Sequence, residues 1–375
     1  MCRMTSRQRV LNAVSLREPD RVPIDFGGTG ATSIDSCAYE DLKDHLGIDV
    51  ETEFIYKRGG VALPAEVVLK RFHVDTRRVI PEVSHYDVGA DDLDSETYVN
   101  EWGVASRQGN SGYHMPYQYP FDEHSSVEDL KRHRWPDPDD PARFVGVAES
   151  AKVLHTETEY AVILQVPSQV FSFGEALCGS EAWFVKLATD SRFAEMLVGE
   201  GVDLEIQMVT GLLAAAGDSV DIVGCADDFA GQESLSISPR LYRRIIKPHQ
   251  KRLFEAIKEN SNARVWMHSS GNIYSIIPDL IEMGLEILNP VHVSCTDMGD
   301  TARLKREFGK DLAFWGAIDT QRVLALGTPA EVREEVRRRI DDLAPGGGYV
   351  VSSIQSIPNG TPSENVCAMF EAAHE

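Results

Sequence analysis

Short apolar runs alternate with amphipathic stretches along most of the chain. Residues 21–26 form a β-like run that stops at Gly27-Gly28. Further runs at 160–166, 220–225, 264–267, 285–288, 312–315 and 349–351 are continuous and bounded by turn signals, as buried strands are. Between them the pattern turns helical. Residues 272–283 place Ile273, Ile276, Ile277 and Leu280 on one face, and 180–216 and 301–308 also read as helices. Ser238-Pro239 opens a long helix with proline at the tolerated first position. Capping boxes at Thr5–Gln8, Thr328–Glu331 and Thr361–Glu364 predict three more helix starts. Strand alternates with helix, so the predicted class is α/β with a parallel sheet. With 21–26 as the first strand, about eight βα units fit, which favours a closed (β/α)8 TIM-type barrel over an open doubly wound sheet. No G-x-G-x-x-G follows the first strand, so a dinucleotide fold loses its main support.

The stretch from about 50 to 150 breaks the rhythm. It is rich in Asp and His, and its segment 98–121 carries Trp102, Tyr113, Tyr117 and Tyr119 among glycines. It reads as a hairpin and loop excursion from a single barrel spanning 1–375. The aromatics either pack or form a lid over an apolar or planar substrate.

Composition narrows the function. With 37 Lys+Arg against 59 Asp+Glu, the net charge of −22 disfavours nucleic acid and anionic membrane surfaces as partners. No run of 18 apolar residues is present, and the first residues lack the apolar core of a signal peptide. The six cysteines are scattered without a C-x-x-C pair, which fits a reducing, cytoplasmic location. The Arg-rich segment Arg333, Arg337, Arg338 and Arg339 alternates with glutamates and reads as a solvated helix face.

Barrel enzymes build their sites at the C-terminal ends of the strands. The polar residues expected there are Asp25, Gln165, Asp227 with Asp228, His268-Ser269-Ser270, Asn289 with His292, Asp319 with Gln321, and Ser352-Ser353 with Gln355. Adjacent carboxylates such as Asp227 and Asp228 suit acid–base work, since repulsion raises one of the two pKa values. Alternation along an extended chain turns only one of them to the pocket, and Asp228, further into the loop, is the expected one. His268, His292 and Cys295 offer imidazole and thiol donors for a zinc ion, with an H-x-x-C spacing between the last two. The alternative is a core histidine bonded to a neighbouring carbonyl.

Several segments together resemble the uroporphyrinogen decarboxylase-like superfamily. They are Thr5 to Arg9, Glu18-Pro19-Asp20-Arg21-Val22-Pro23, Asp227-Asp228-Phe229 through Gln232, Ile237-Ser238-Pro239 and Lys247-Pro248. They continue with His268-Ser269-Ser270-Gly271-Asn272, Ile287-Leu288-Asn289-Pro290, Gly316 to Gln321, and Pro362 to Asn365. The resemblance implies a barrel with one of two chemistries. Decarboxylases of the superfamily work without a cofactor and clamp tetrapyrrole carboxylates with an Arg-Gln-Ala-Gly-Arg-type segment. Here the corresponding stretch, from Arg21 to Gly28, has no such segment. Corrinoid-dependent methyltransferases hold zinc through a His-x-Cys element and a later Cys. Here His268 matches the histidine, Ser270 stands at the first cysteine, and the later position falls near Ser352 to Gln355, again without cysteine.

The first expectation is a methyltransferase that passes a methyl group from a small methylated substrate to a corrinoid protein. Asp228, Asp227 and His268 would be catalytic, and Gln165, Gln232, Asn289, Asp319, Gln321 and Gln355 would bind substrate. Decarboxylation of a carboxylated tetrapyrrole or other ring is the alternative, and a non-catalytic ligand-binding barrel is the third reading.

Overall fold

Ile163, Ile222, Trp266, Ile287, Trp315 and Val350 are all buried in one cluster, although they come from six separate chain segments. They sit on neighbouring strands of a computed structural model, which describes residues 4–82, 95–109 and 112–375. The strands are β1 (Thr76–Arg78), β2 (Ala161–Gln165), β3 (Ile222–Ala226), β4 (Arg264–His268), β5 (Ile287–Asn289), β6 (Ala313–Ile318) and β7 (Tyr349–Ser353). They pair in parallel and in sequence order from β1 to β7. Odd and even positions divide the core. Ala161 and Ile163 face the interior cluster, while Val162 and Leu164 pack against the outer helices.

Residues 23–25 bridge the two edges of this curled sheet. The Asp25 N–H donates to the Val351 carbonyl at 2.9 Å, the Val351 N–H to the Pro23 carbonyl at 2.9 Å, and the Asp75 N–H to the Ile24 carbonyl at 2.8 Å. The ring thereby closes into a TIM-type α/β barrel. The run expected over 21–26 makes a single bridge, Ile24 to Val351, and not a strand. Pro23 has no N–H to donate, and Gly27 turns the chain at φ 78°. Asp25 locks this segment in place. Its buried carboxylate accepts from Thr76 Oγ1, from the Gly28 N–H at 3.1 Å and from Trp315 Nε1 at 2.9 Å. Asp75 secures the same segment from β1's side. It pairs with Arg9 and Arg21, each at 2.7 Å, and accepts the Ile24 N–H at 2.9 Å.

The first helix, Ser6–Val14, starts at the Thr5 capping box and inserts Val10, Ala13 and Val14 into the interior cluster, plugging the barrel opposite its C-terminal mouth. The stretch from 50 to 150 contains β1 itself, which the sequence pattern does not reveal. Its aromatic part is a three-stranded antiparallel meander of Thr97–Val99, Ala105–Gln108 and His114–Gln118. A second small sheet joins Ile34–Asp35, Val61–Leu63 and Glu53–Tyr56.

Two local expectations are corrected. Thr361 does not cap the last helix, Ser363–Ala372; its hydroxyl donates back to the Pro358 carbonyl at 2.8 Å, and Pro362 takes the cap position. Arg339 is not on a solvated face. It is buried against Glu335 at 3.0 Å and Thr301 Oγ1 at 2.9 Å, tying helix Pro329–Leu343 to helix Thr301–Phe308. Among the described residues no helix is long and apolar enough to cross a membrane.

Candidate functional site

Strand alternation places the chemistry. In β4, Trp266 lies in the interior cluster, so His268 two residues on faces inward at the mouth. In β5, Ile287 is followed in the same way by Asn289. The two side chains meet: His268 Nδ1 lies 2.6 Å from Asn289 Oδ1. Asn289 Nδ2 donates to the Trp315 carbonyl at 3.1 Å, which fixes the amide and leaves its oxygen for the imidazole. Neutral His268 therefore carries its hydrogen on Nδ1 and presents the Nε2 lone pair outward. Ser270 Oγ at 3.2 Å and Gln355 Nε2 at 3.4 Å surround that lone pair, and they also bond each other.

The carboxylate pair divides its labour. Asp227 is buried and accepts three backbone N–H groups, from Val170 at 3.0 Å, Phe171 at 2.8 Å and Ser172 at 2.8 Å. These are the first amides of helix Phe171–Cys178, so Asp227 anchors that helix to the end of β3. Burial pushes its carboxyl up to about 7, and the three amides act in the opposite direction. This geometry makes Asp227 a buried anchor whose two oxygens are both taken by backbone amides. Asp228 has a side chain 54% exposed; it accepts the Ser270 N–H at 2.6 Å and lies 3.9 Å from His268 Nε2.

A second group lies beside the first. The side-chain amides of Gln232 and Gln321 pair at 2.8 Å, and the Gln321 amide lies 3.3 Å from His292 Nε2. His292 Nδ1 accepts the Gly271 N–H at 3.0 Å, so its hydrogen sits on Nε2, the reverse of His268. Burial lowers its pKa, and the nearby His268 adds to that. Gly271 has φ 95°, and a Cβ there would meet the Ala230 carbonyl oxygen at 2.2 Å, so only glycine delivers this N–H. Asp319 caps the turn after β6 through the N–H groups of Gln321 at 2.7 Å and Arg322 at 3.1 Å. Gln165, at the end of β2, accepts the Gly30 N–H at 3.1 Å.

The zinc set expected from His268, His292 and Cys295 is not formed. Among the described residues no three His, Cys, Asp or Glu side chains are grouped so as to hold a metal. His292 spends one nitrogen on Gly271 and turns the other to Gln321, and Cys295 is buried with its thiol pushed up to about 11 by burial. The positions that converge instead are His268, Ser270 and Gln355. They offer one imidazole, a hydroxyl and a carboxamide, a donor set unlike the imidazole and two thiolates of a zinc-thiolate site. Sequence reasoning passed over one further residue, Glu205, which is buried on helix Ser191–Ala216. It falls on the same face as Val198, Val202, Val209 and Leu212, and a carboxylate in an apolar stripe is a signal the helical period contains.

No curated protein matches the chain by sequence. Among solved structures, a methyltransferase from Methanosarcina mazei superposes with a TM-score of 0.68 at 17% identity, covering 99% of this chain and 98% of that one. A B12-independent methionine synthase from Shewanella sp. W3-18-1 aligns with a TM-score of 0.41 at 16% identity, over 60% of this chain and 66% of that one. At these identities the first likeness concerns the fold. The profile of the family described as uroporphyrinogen decarboxylase (URO-D) matches residues 116–375, which include six of the seven strands and all the mouth residues except those near Gly30. More than half of the sequence is thus accounted for, and the chain belongs to the uroporphyrinogen decarboxylase family.

Proposed function

We propose that the chain transfers a methyl group from a small methylated compound to a corrinoid carried by a partner protein. The observation that supports this reading is the mouth's charge. The side chains of Asp228, His268, Ser270, Asn289, His292, Gln321 and Gln355 bond to amides, hydroxyls, imidazoles and backbone, and to no Arg or Lys among the described residues. A tetrapyrrole with several carboxylates needs guanidinium partners; Arg78 and Arg322 stand at the ends of β1 and β6, whereas the group around His268 carries the Asp228 carboxylate and suits a neutral or cationic substrate. When bound, the partner's corrinoid supplies the electron pair that accepts the methyl group. The bond from methyl to heteroatom breaks, and the heteroatom keeps that bond's electrons. His268 then serves as acid. It takes a proton at Nε2, Asp228 stabilises the imidazolium from 3.9 Å, and the proton passes to the leaving heteroatom. Asn289 holds the ring in the orientation this requires.

The test mixes the protein with reduced corrinoid and a panel of methylated ethers, amines and thiols, and follows the reduced-corrinoid absorbance. Loss of absorbance that depends on substrate and on His268 supports the reading. Release of carbon dioxide from a carboxylated ring, with the absorbance unchanged, would replace it with the decarboxylase alternative.

A further inference from the structure

A cavity of about 180 Å³ lies beside the mouth at the ends of β2 and β3, between helix Phe171–Cys178, helix Ser191–Ala216 and the meander. It shares Gln165 and Ala226 with the barrel rim, and His268, Ser270 and Gln355 do not line it. Its walls mix polar and apolar side chains, with Trp102, Phe173, Leu177 and Met208 among the apolar ones, and Trp102 meets Phe173 edge-on at 5.1 Å between ring centroids.

Most polar groups of this cavity are already engaged. Asn100 accepts the N–H groups of Trp102 at 3.1 Å and Val104 at 3.0 Å. Arg143 and Glu101 neutralise each other through a two-pronged pair. Ser168 Oγ donates to the Val166 carbonyl at 3.2 Å and accepts the Ala226 N–H at 2.8 Å. Glu205 carries an oxygen without a partner. It is 3% exposed, its Oε1 accepts the Gln169 N–H at 2.9 Å, and its Oε2 has no partner among the described residues. Burial raises its pKa well above the usual carboxylate range, and the nearby Asp227 raises it further. The neutral acid then carries an O–H with no partner among the described residues, on a side chain that lines the cavity. A buried donor left unpaired is costly, so a bound molecule that supplies an acceptor gains that bond in full.

We infer that this cavity is a binding site for a neutral, ring-sized molecule bearing an oxygen acceptor, such as an aryl ether, with Glu205 as the hydrogen-bond donor and Trp102 and Phe173 as the ring contacts. The site does not depend on the methyl-transfer reading, because binding is measured without corrinoid or turnover.

Calorimetric titration of the full chain with anisole and with ethylbenzene, its near-isostere without the oxygen, tests the inference. Anisole binds about tenfold more tightly, as expected for one buried hydrogen bond. Glu205→Gln keeps a donor and keeps the preference, whereas Glu205→Leu abolishes it. Equal binding of the two probes by the unmodified protein, binding of neither, or an unchanged preference in Glu205→Leu would overturn the proposal. So would tighter binding of tetramethylammonium than of anisole, which would make the site a cation cage with an ionised Glu205. If Glu205→Leu does not fold, the comparison in the unmodified protein and in Glu205→Gln still decides.

Discussion

Asn289 Oδ1 stands 2.6 Å from His268 Nδ1, and this one contact decides which nitrogen of the histidine meets the substrate. Asn289→Leu removes the acceptor and also leaves the Trp315 carbonyl unpaired. The expected outcome is a mixture of His268 tautomers, visible in the nitrogen chemical shifts of the labelled ring, with turnover at least about tenfold lower. Each buried group left unpaired costs about 1–3 kcal/mol, so the denaturation midpoint falls as well. An unchanged tautomer would remove Asn289 from the positioning role.

The two adjacent aspartates should separate cleanly. Asp228→Asn removes the charge beside His268 while leaving the core intact, so turnover falls about a hundredfold and stability shifts by less than about 0.5 kcal/mol. Asp227→Asn weakens three charge-assisted amide bonds at the start of helix Phe171–Cys178 and turns an amide donor toward N–H groups. It should cost about 2–4 kcal/mol in urea unfolding. The opposite ranking would exchange the two roles.

Closure of the barrel rests on Asp75, which is fully buried between Arg9 and Arg21. Removing one partner from a buried ionic group strands the others. Asp75→Ala is expected to cost about 3–5 kcal/mol and to raise amide exchange at Ile24 and Val351 before the rest of the sheet. Stability close to that of the unmodified protein would show that residues 23–25 do not hold the ring.

The effect of pH on stability can be isolated at His292. Burial lowers its folded pKa below the ordinary 6.5. Between the folded value and 6.5 the unfolded chain binds more protons, so this residue makes stability rise with pH through that window and fall as pH drops below 6.5. His133, His249 and His374 are lowered by burial too, whereas burial raises Asp25, Glu205 and Asp227, which lean the other way. The quantity to measure is therefore the difference between the unmodified protein and His292→Gln. That difference should fall as pH drops below 6.5, because only the unmodified chain loses stability there through His292. A flat difference would mean that His292 titrates alike in both states.

The strands β2 to β7 were legible because each is an apolar run flanked by turn residues, and a polar residue just past such a run marks the mouth without further information. β1 was hidden for a physical reason. Its sequence, Thr76-Arg77-Arg78, is polar, and Arg77 can be buried only because Glu66 pairs with it at 2.7 Å and backbone carbonyls take its other donors. Arg9 and Arg21 belong to the stretches that resemble the family, and their partner Asp75 is far away in sequence, so only the fold reveals that they brace it. The zinc reading failed similarly. The spacing of His292 and Cys295 says nothing about direction, and the Gly271 amide had already claimed His292. Glu205, by contrast, was available to anyone following the helical period.

The helix that plugs the barrel and the segment that closes it both come early in the chain, yet they rest on residues near its far end, Val350 and Val351. During synthesis, which runs from the N-terminus, residues 23–25 can pair with Asp75 early, but their pairing with Val351 waits for the last strand. Until then one edge of the growing sheet has no neighbour, and the apolar face of Val10, Ala13 and Val14 covers a cluster that still lacks Val350. The contacts that complete the ring thus have a very high contact order, which makes slow final closure, and a need for shielding from aggregation beforehand, an inherent property of this architecture.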